Sequence, residues 1–225
     1  MLWMYVVSMQ CISRLPWQSP SVNHQSTKVD HALQVEVYMT AVVNCMHHEL
    51  RRITREAIAD DPAGAELAWL SRWPSQVGLL VNQSRWTADV ETALAAAATD
   101  PGAMQACLDA QVDRLRQRIE VTRNPLSKAD RQKVMNAITM DAHNRDVVAL
   151  LVDDKATSPA CFQWQSQLRF YWDAAVQDVR IRICDAVLPY GYEYMGNGPR
   201  LVVTPLTDRI YITAMQVCVG CGVVL

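Results

Sequence analysis

The 225-residue sequence predicts a mainly α fold: a helical bundle followed by a small β-hairpin or sheet and a last helix, so that only the C-terminal end is α+β. Three observations carry this. Apolar residues recur at three-and-four spacing from Val35 onward. Pro62, Pro74, Pro101 and Pro125 each stand where that period is interrupted. Alternation with a period of two begins only at Val179.

Residues 1–34 mix Pro16, Pro20, Ser and Gln without periodicity and are expected as an irregular lead-in. In the next stretch Val35, Tyr38, Met39, Val42, Val43, Met46 and Leu50 mark one helix face, ending before Asp60-Asp61-Pro62. A second run starts near Ala65 and breaks at Trp73-Pro74. Proline is tolerated in a first turn and not in mid-helix, so a new helix carries Val77, Leu80, Val81, Trp86, Val90 and Leu94. A third helix, about Ala103 to Thr122, sets Leu108, Val112, Leu115 and Ile119 on one side, with Arg114, Arg116 and Arg118 in water. Ser127 then caps a fourth helix running to about Val152, with Asp130 at the positive end of its dipole.

After "DDKATSPA" the pattern changes. Ser158-Pro159 has the cap-then-proline order of a short amphipathic helix through Trp164, Leu168 and Trp172. Val179, Ile181 and Ile183 alternate with Arg180, Arg182 and Cys184 as a half-buried strand. Tyr190–Tyr194 and Arg200–Val203 are expected as two further strands joined across Gly196-Asn197-Gly198. Thr204-Pro205 begins a helix from Leu206 to about Val217. The units expected are thus 1–34, a helical region 35–175, and a separate segment 176–225.

Length and a 50% apolar content suffice for a real core. A net charge of −2 points to neither nucleic acid nor an anionic membrane as a partner. The N-terminal "MLWMYVVSMQC" is apolar over too few residues to span a bilayer and lacks a basic flank. Seven widely spaced cysteines predict reduced thiols without disulfides.

Candidate chemistry is incomplete at each place it could arise. "CMHHEL" has Arg52 where a zinc-protease helix needs its second histidine, so Cys45, His47, His48 and Glu49 read as a solvated face. Cys218-Val219-Gly220-Cys221 is a single pair with no second pair of ligands. In "DAHNRD" only Asp141 and Arg145 share a helix face, which predicts a surface ion pair rather than acid–base work. The seven tryptophans do not form a stacking platform with interleaved arginines and are assigned to packing. No catalytic residue and no metal site is assigned.

"YGYEYMGNGPRLVVTPLTDRIY", Tyr190 to Tyr211, resembles the stretch of dynein heavy chains where the linker ends and the first AAA+ module begins. "WPSQVGLLVNQSRWTADVETAL", "LSKADRQKVMNAITMDAHNRDVV" and "FQWQSQLRFYW" match the same family in the same order, and "YGYEYMGNGPRLV" with "HNRDVV" resembles the axonemal members. The resemblance implies that 35–175 is the C-terminal helical region of the linker and 176–225 the start of the first AAA+ module. It implies a segment of a minus-end-directed microtubule motor ATPase of the cilium or flagellum axoneme. Its partners would be the remainder of the motor ring, intermediate and light chains, and microtubules. Val202, Val203, Pro205 and Leu206 would be apolar contacts to the nucleotide base. The full-length family uses ATP and magnesium. Here "QVCVGCGVVL" stands where the family's Gly-rich phosphate loop is expected, so this chain by itself is expected to hold no cofactor and to be inactive. The other reading is a stand-alone helical interaction protein that binds other dynein subunits.

Overall fold

A computed structural model describes residues 34–60 and 66–220. Five helices come first: α1 (Gln34–Ala59), α2 (Glu66–Arg72), α3 (Ser75–Ala96), α4 (Ala103–Val121) and α5 (Lys128–Asp153). A one-turn α6 (Phe162–Gln165), strands β1 (Arg169–Asp173), β2 (Asp178–Ile183) and β3 (Ala186–Pro189), and α7 (Pro205–Gly220) complete the order. The breaks at Pro74, Pro101 and Pro125 fall between helices as expected, whereas Pro62 and the expected start near Ala65 lie outside the described residues. Ser127 caps α5, its hydroxyl accepting from the Asp130 N–H at 3.0 Å. No described helix is long and apolar enough to cross a membrane.

The bundle has two apolar clusters separated by a polar layer. One gathers Trp69, Leu70, Val77, Leu80, Val81 and Ala137 against Val179 and Tyr192 of the C-terminal part. The other holds Trp86, Val90, Leu94, Val148, Leu151 and Trp164, with the Trp86 and Trp164 rings edge-to-face at 5.2 Å. Buried positions on α5 run 134, 137, 141, 144, 148 and 151, an unbroken inward stripe, yet 141 and 144 are Asp and Asn. Asp141 accepts from the Arg118 guanidinium of α4, and both side chains are almost fully buried. Asn144 accepts from Gln83 of α3 at 3.3 Å.

Two expectations are corrected here. Asp141 does not pair with Arg145 on the surface; Arg145 bonds its neighbour Asp146 instead. Nor is Arg118 in water: it lies three residues after Leu115 on the buried stripe of Met104, Gln111, Leu115 and Arg118, while Ile119 is 42% exposed. The inward face of α4 is rotated by one residue from the one that hydrophobicity alone selects.

The sheet is antiparallel in the order β1-β2-β3, with Phe170 opposite Ile181 and Trp172 opposite Val179. It lies on α3, where the Thr87 hydroxyl accepts the Phe170 N–H at 3.1 Å. The expected helix through Leu168 and Trp172 therefore stops at Gln165. The four-residue spacing of Trp164, Leu168 and Trp172 suggested a helix, but pairing with β2 takes residues 169–173 as a strand. The two strands expected at Tyr190–Tyr194 and Arg200–Val203 do not form; both stretches lie outside the ladder. Tyr190 gives the sheet a last bond, to the Val179 carbonyl at 3.0 Å, and Tyr192 then takes φ 52°, which turns the chain out of the ladder. That conformation is held by tertiary contacts: the Tyr192 hydroxyl donates to Asp178 at 2.7 Å and its ring lies under Arg51.

Replacing Arg118 by Met leaves the Asp141 carboxylate buried without its guanidinium and is expected to cost about 3–5 kcal/mol in denaturant unfolding. The Arg118→Met/Asp141→Leu pair should recover most of that loss. A double variant as unstable as the single one would show that the ion pair is not the source of the effect.

Candidate functional site

Residues 190–211 form an extended strap and the first turns of α7. Thr204 caps the helix, its hydroxyl accepting the Thr207 N–H at 3.4 Å while its own N–H donates to Thr207 Oγ1 at 2.6 Å, and Pro205 takes the first helical position, as expected. Before it the strap crosses the ends of α3 and α5. Gln76 of α3, 4% exposed, donates to the Glu193 carbonyl at 2.5 Å and the Tyr190 hydroxyl at 3.2 Å, and accepts the Met195 N–H at 2.8 Å. Asn136 of α5 donates to the Gly198 carbonyl at 2.9 Å, and Asn197 donates back to the Ala129 carbonyl at 3.1 Å. Gly196 supplies the turn between them with φ 63°.

Behind the strap and α7 is a mostly apolar cavity of about 640 Å³. It is lined by Leu80, Trp86, Met140 and Phe170 from the body and by Leu201, Val203 and Tyr211 from the strap and α7. His143 of α5 and Asp208 of α7 both line it. Burial holds the His143 imidazole below its usual range, against the opposing pull of Asp208 and Asp146. Burial likewise raises the Asp208 carboxyl, with His143 pulling it down. Burial also lowers the Arg200 guanidinium and raises the Tyr190 phenol.

The four residues assigned to base contact are split between two sides. Val202 and Leu206 are 65% and 68% exposed, and Pro205 is exposed beside them. Val203 is half-buried and turned to the cavity. Exposure continues along α7 at Ile210, one turn past Leu206. No group of three His, Cys, Asp or Glu gathers among the described residues to hold a metal ion. Cys45 and His48 are exposed on α1, with Glu49 bonded to Arg52. The side chains of Cys218 and Cys221 lie outside those described. Sequence reasoning missed Gln76 and Asn136. A single amide on each helix carries no signal in the sequence until its partner is known.

Residues 190–221 match the family profile described as the hydrolytic ATP binding site of the dynein motor region. Along most of its length the chain is similar to the dynein alpha chain of the flagellar outer arm of Chlamydomonas reinhardtii, 53% identical over 186 residues and 82% of this chain. It is also 40% identical over 192 residues, 85% of this chain, to human dynein axonemal heavy chain 9, and 39% identical over 184 residues, 81% of this chain, to a ciliary dynein beta chain of Tripneustes gratilla. The chain belongs to the axonemal dynein heavy chains. It spans about 4% of the length of these relatives.

Within this dynein segment the profile begins at Tyr190, the residue at which the chain leaves the sheet and meets Gln76. The residues that match the profile and the helical body therefore share an interface from the first matched residue. His143 is the titratable group of that interface on the α5 side. Unfolded, it takes a proton near pH 6.5; folded, it resists doing so until lower pH, so the stability tied to it is complete above about pH 6.5 and is lost as pH falls through and below that value. Denaturant unfolding between about pH 7.5 and pH 5.5 should show this loss, and His143→Gln should flatten it. An unchanged slope in the variant would place the acid sensitivity elsewhere.

Proposed function

We propose that this chain is the linker-to-ring segment of an axonemal dynein heavy chain, with residues 35–175 the last helical part of the linker and 176–225 the start of the first AAA+ module. The observation that carries this is the coincidence of one continuous match with outer-arm heavy chains and an ATP-site profile confined to residues 190–221. In the whole motor the segment would join a mechanical element to an ATPase ring that works on microtubules in the axoneme, alongside intermediate and light chains.

ATP and magnesium belong to the ring as a whole. The described residues fit one part of that group, the base. Val202, Pro205 and Leu206 form an exposed apolar wall at the start of α7, the kind of surface on which a purine is desolvated. Val203 supports that wall from the cavity side. The helix start is occupied by its own Thr204 and Thr207, so the described residues supply no cradle for a triphosphate. Their role is to orient and desolvate, and phosphate and metal would be held by other parts of the ring.

The test is a segment exchange. Residues 35–216 replace the homologous stretch of the Chlamydomonas outer-arm alpha chain, and ATP-driven microtubule gliding by the purified motor is measured. Retained gliding supports the assignment; a folded ring that no longer couples ATP turnover to gliding overturns it. In the exchanged motor, Leu206→Asp together with Val202→Asp should raise the KM for ATP by about 10-fold or more. An unchanged KM would remove these residues from the base site while leaving the family assignment intact.

A further inference from the structure

The strap from Tyr190 to Gly198 has left the sheet, so its backbone groups need partners elsewhere. They find them in side chains of the helical body. The two hydrogens of the Gln76 amide go to the Glu193 carbonyl and the Tyr190 hydroxyl, and its oxygen takes the Met195 N–H. Asn136 is 2% exposed and is itself oriented, its oxygen accepting from Gln132 at 3.0 Å while its nitrogen reaches the Gly198 carbonyl. Both amides sit on rigid helices rather than on loops. Asn197 closes the set from the strap side through the Ala129 carbonyl.

Past Gly198 this fastening stops. Pro199 has no N–H to give. Leu201 and Val202 are 58% and 65% exposed, and the next backbone bond, from Thr204 to Thr207, is internal to the cap of α7. The cavity of about 640 Å³ lies directly behind this stretch, so α7 is backed by open space rather than by close packing.

We propose that Gln76 and Asn136 are positioning residues that fasten Tyr190–Gly198 to the helical body, and that the pivot between this body and α7 is therefore residues 199–203. A boundary drawn at the sheet would put the joint some ten residues too early. On this arrangement the helical body and the first part of the ATP-site segment move as one piece, and any change of angle reaches α7 through 199–203. The functional meaning of the pivot rests on the reading given under Proposed function, but its physical test does not.

Hydrogen exchange of the intact chain, followed by mass spectrometry without nucleotide, tests it. In the unmodified chain the Met195 amide should exchange at a rate close to that of α5, with Leu201–Val203 exchanging at least about 10-fold faster. In the Gln76→Met/Asn136→Leu variant, exchange across 193–198 should accelerate about 30-fold while 141–151 of α5 stays unchanged. A strap as protected in the variant as before overturns the proposal, as does equal acceleration of strap and α5, which would make the amides ordinary core supports. If the double variant does not fold, Gln76→Glu decides. Its carboxylate sets an acceptor against the Glu193 carbonyl in place of a donor, so exchange across 193–195 should accelerate while 141–151 of α5 stays unchanged. Unchanged exchange across 193–195, or equal rates at Met195 and at Leu201–Val203 in the unmodified chain, would sink the idea. Failure here leaves the family assignment standing, and failure of the segment exchange leaves the pivot standing.

Discussion

A guanidinium and a carboxylate sealed between α4 and α5 allow those helices only one register. Leaving either Arg118 or Asp141 buried alone would cost several kcal/mol, so a slip of one turn, about 5.4 Å, is closed to the bundle even where its apolar contacts could be remade. The bond between Gln83 and Asn144 does the same for α3 against α5 at lower stakes. On both α3 and α5 these polar positions fall between the two apolar clusters, so the core is two greasy halves keyed to each other by a polar layer. The key matters downstream because α5 also presents Asn136 to the strap and His143 to the cavity. A shift of α5 would move both.

The same physics governs the strap. A segment that leaves a sheet must find donors and acceptors for its backbone, and side-chain amides on helices are a stiff way to provide them. The alternative, pairing Tyr190–Tyr194 with Arg200–Val203, would have satisfied some of those groups within the segment itself. Gln76 and Asn136 bind them to the body instead, and Tyr192 at positive φ points the chain toward those amides. The local preference for a Gly-Asn-Gly hairpin lost to a tertiary set of hydrogen bonds.

This explains which parts of the molecule were legible in the sequence. Helix limits were, because proline removes a donor wherever it stands and Ser127 or Thr204 supplies an acceptor; both effects act within a few residues. β2 was legible from the alternation of Val179, Ile181 and Ile183. β1 was not, because Trp164, Leu168 and Trp172 have a helical spacing and only the presence of β2 alongside decides between the two patterns. The burial of Arg118 and Asp141 was hidden as well. Each is charged, each sits on a surface-like stretch of sequence, and only their meeting across two helices makes an inward position tolerable. The apolar character of Val202, Pro205 and Leu206 could be read directly, whereas the amides that position the strap leading to them could not, since a single Gln or Asn on a helix carries no signal until its partner is known.

The consequence for function is a gradient of stiffness along one chain. The bundle is keyed by buried polar pairs, the strap is fastened to the bundle by buried amides, and α7 is joined to the strap by a partly exposed stretch backed by a cavity. In the role proposed for this segment, a part that does not bend would adjoin one that does. Here the stiff side extends past the sheet to Gly198, because the polar groups that could have loosened the strap are used to hold it. Exposed Leu206 and Ile210 then lie beyond the compliant stretch, and Val202 lies within it, so the apolar wall can change position without disturbing the packing of the bundle. Bending confined to 199–203 breaks none of the bonds made by Gln76, Asn136 or Arg118, so a change in the angle of α7 leaves the fastening of the strap and the buried ion pair in place.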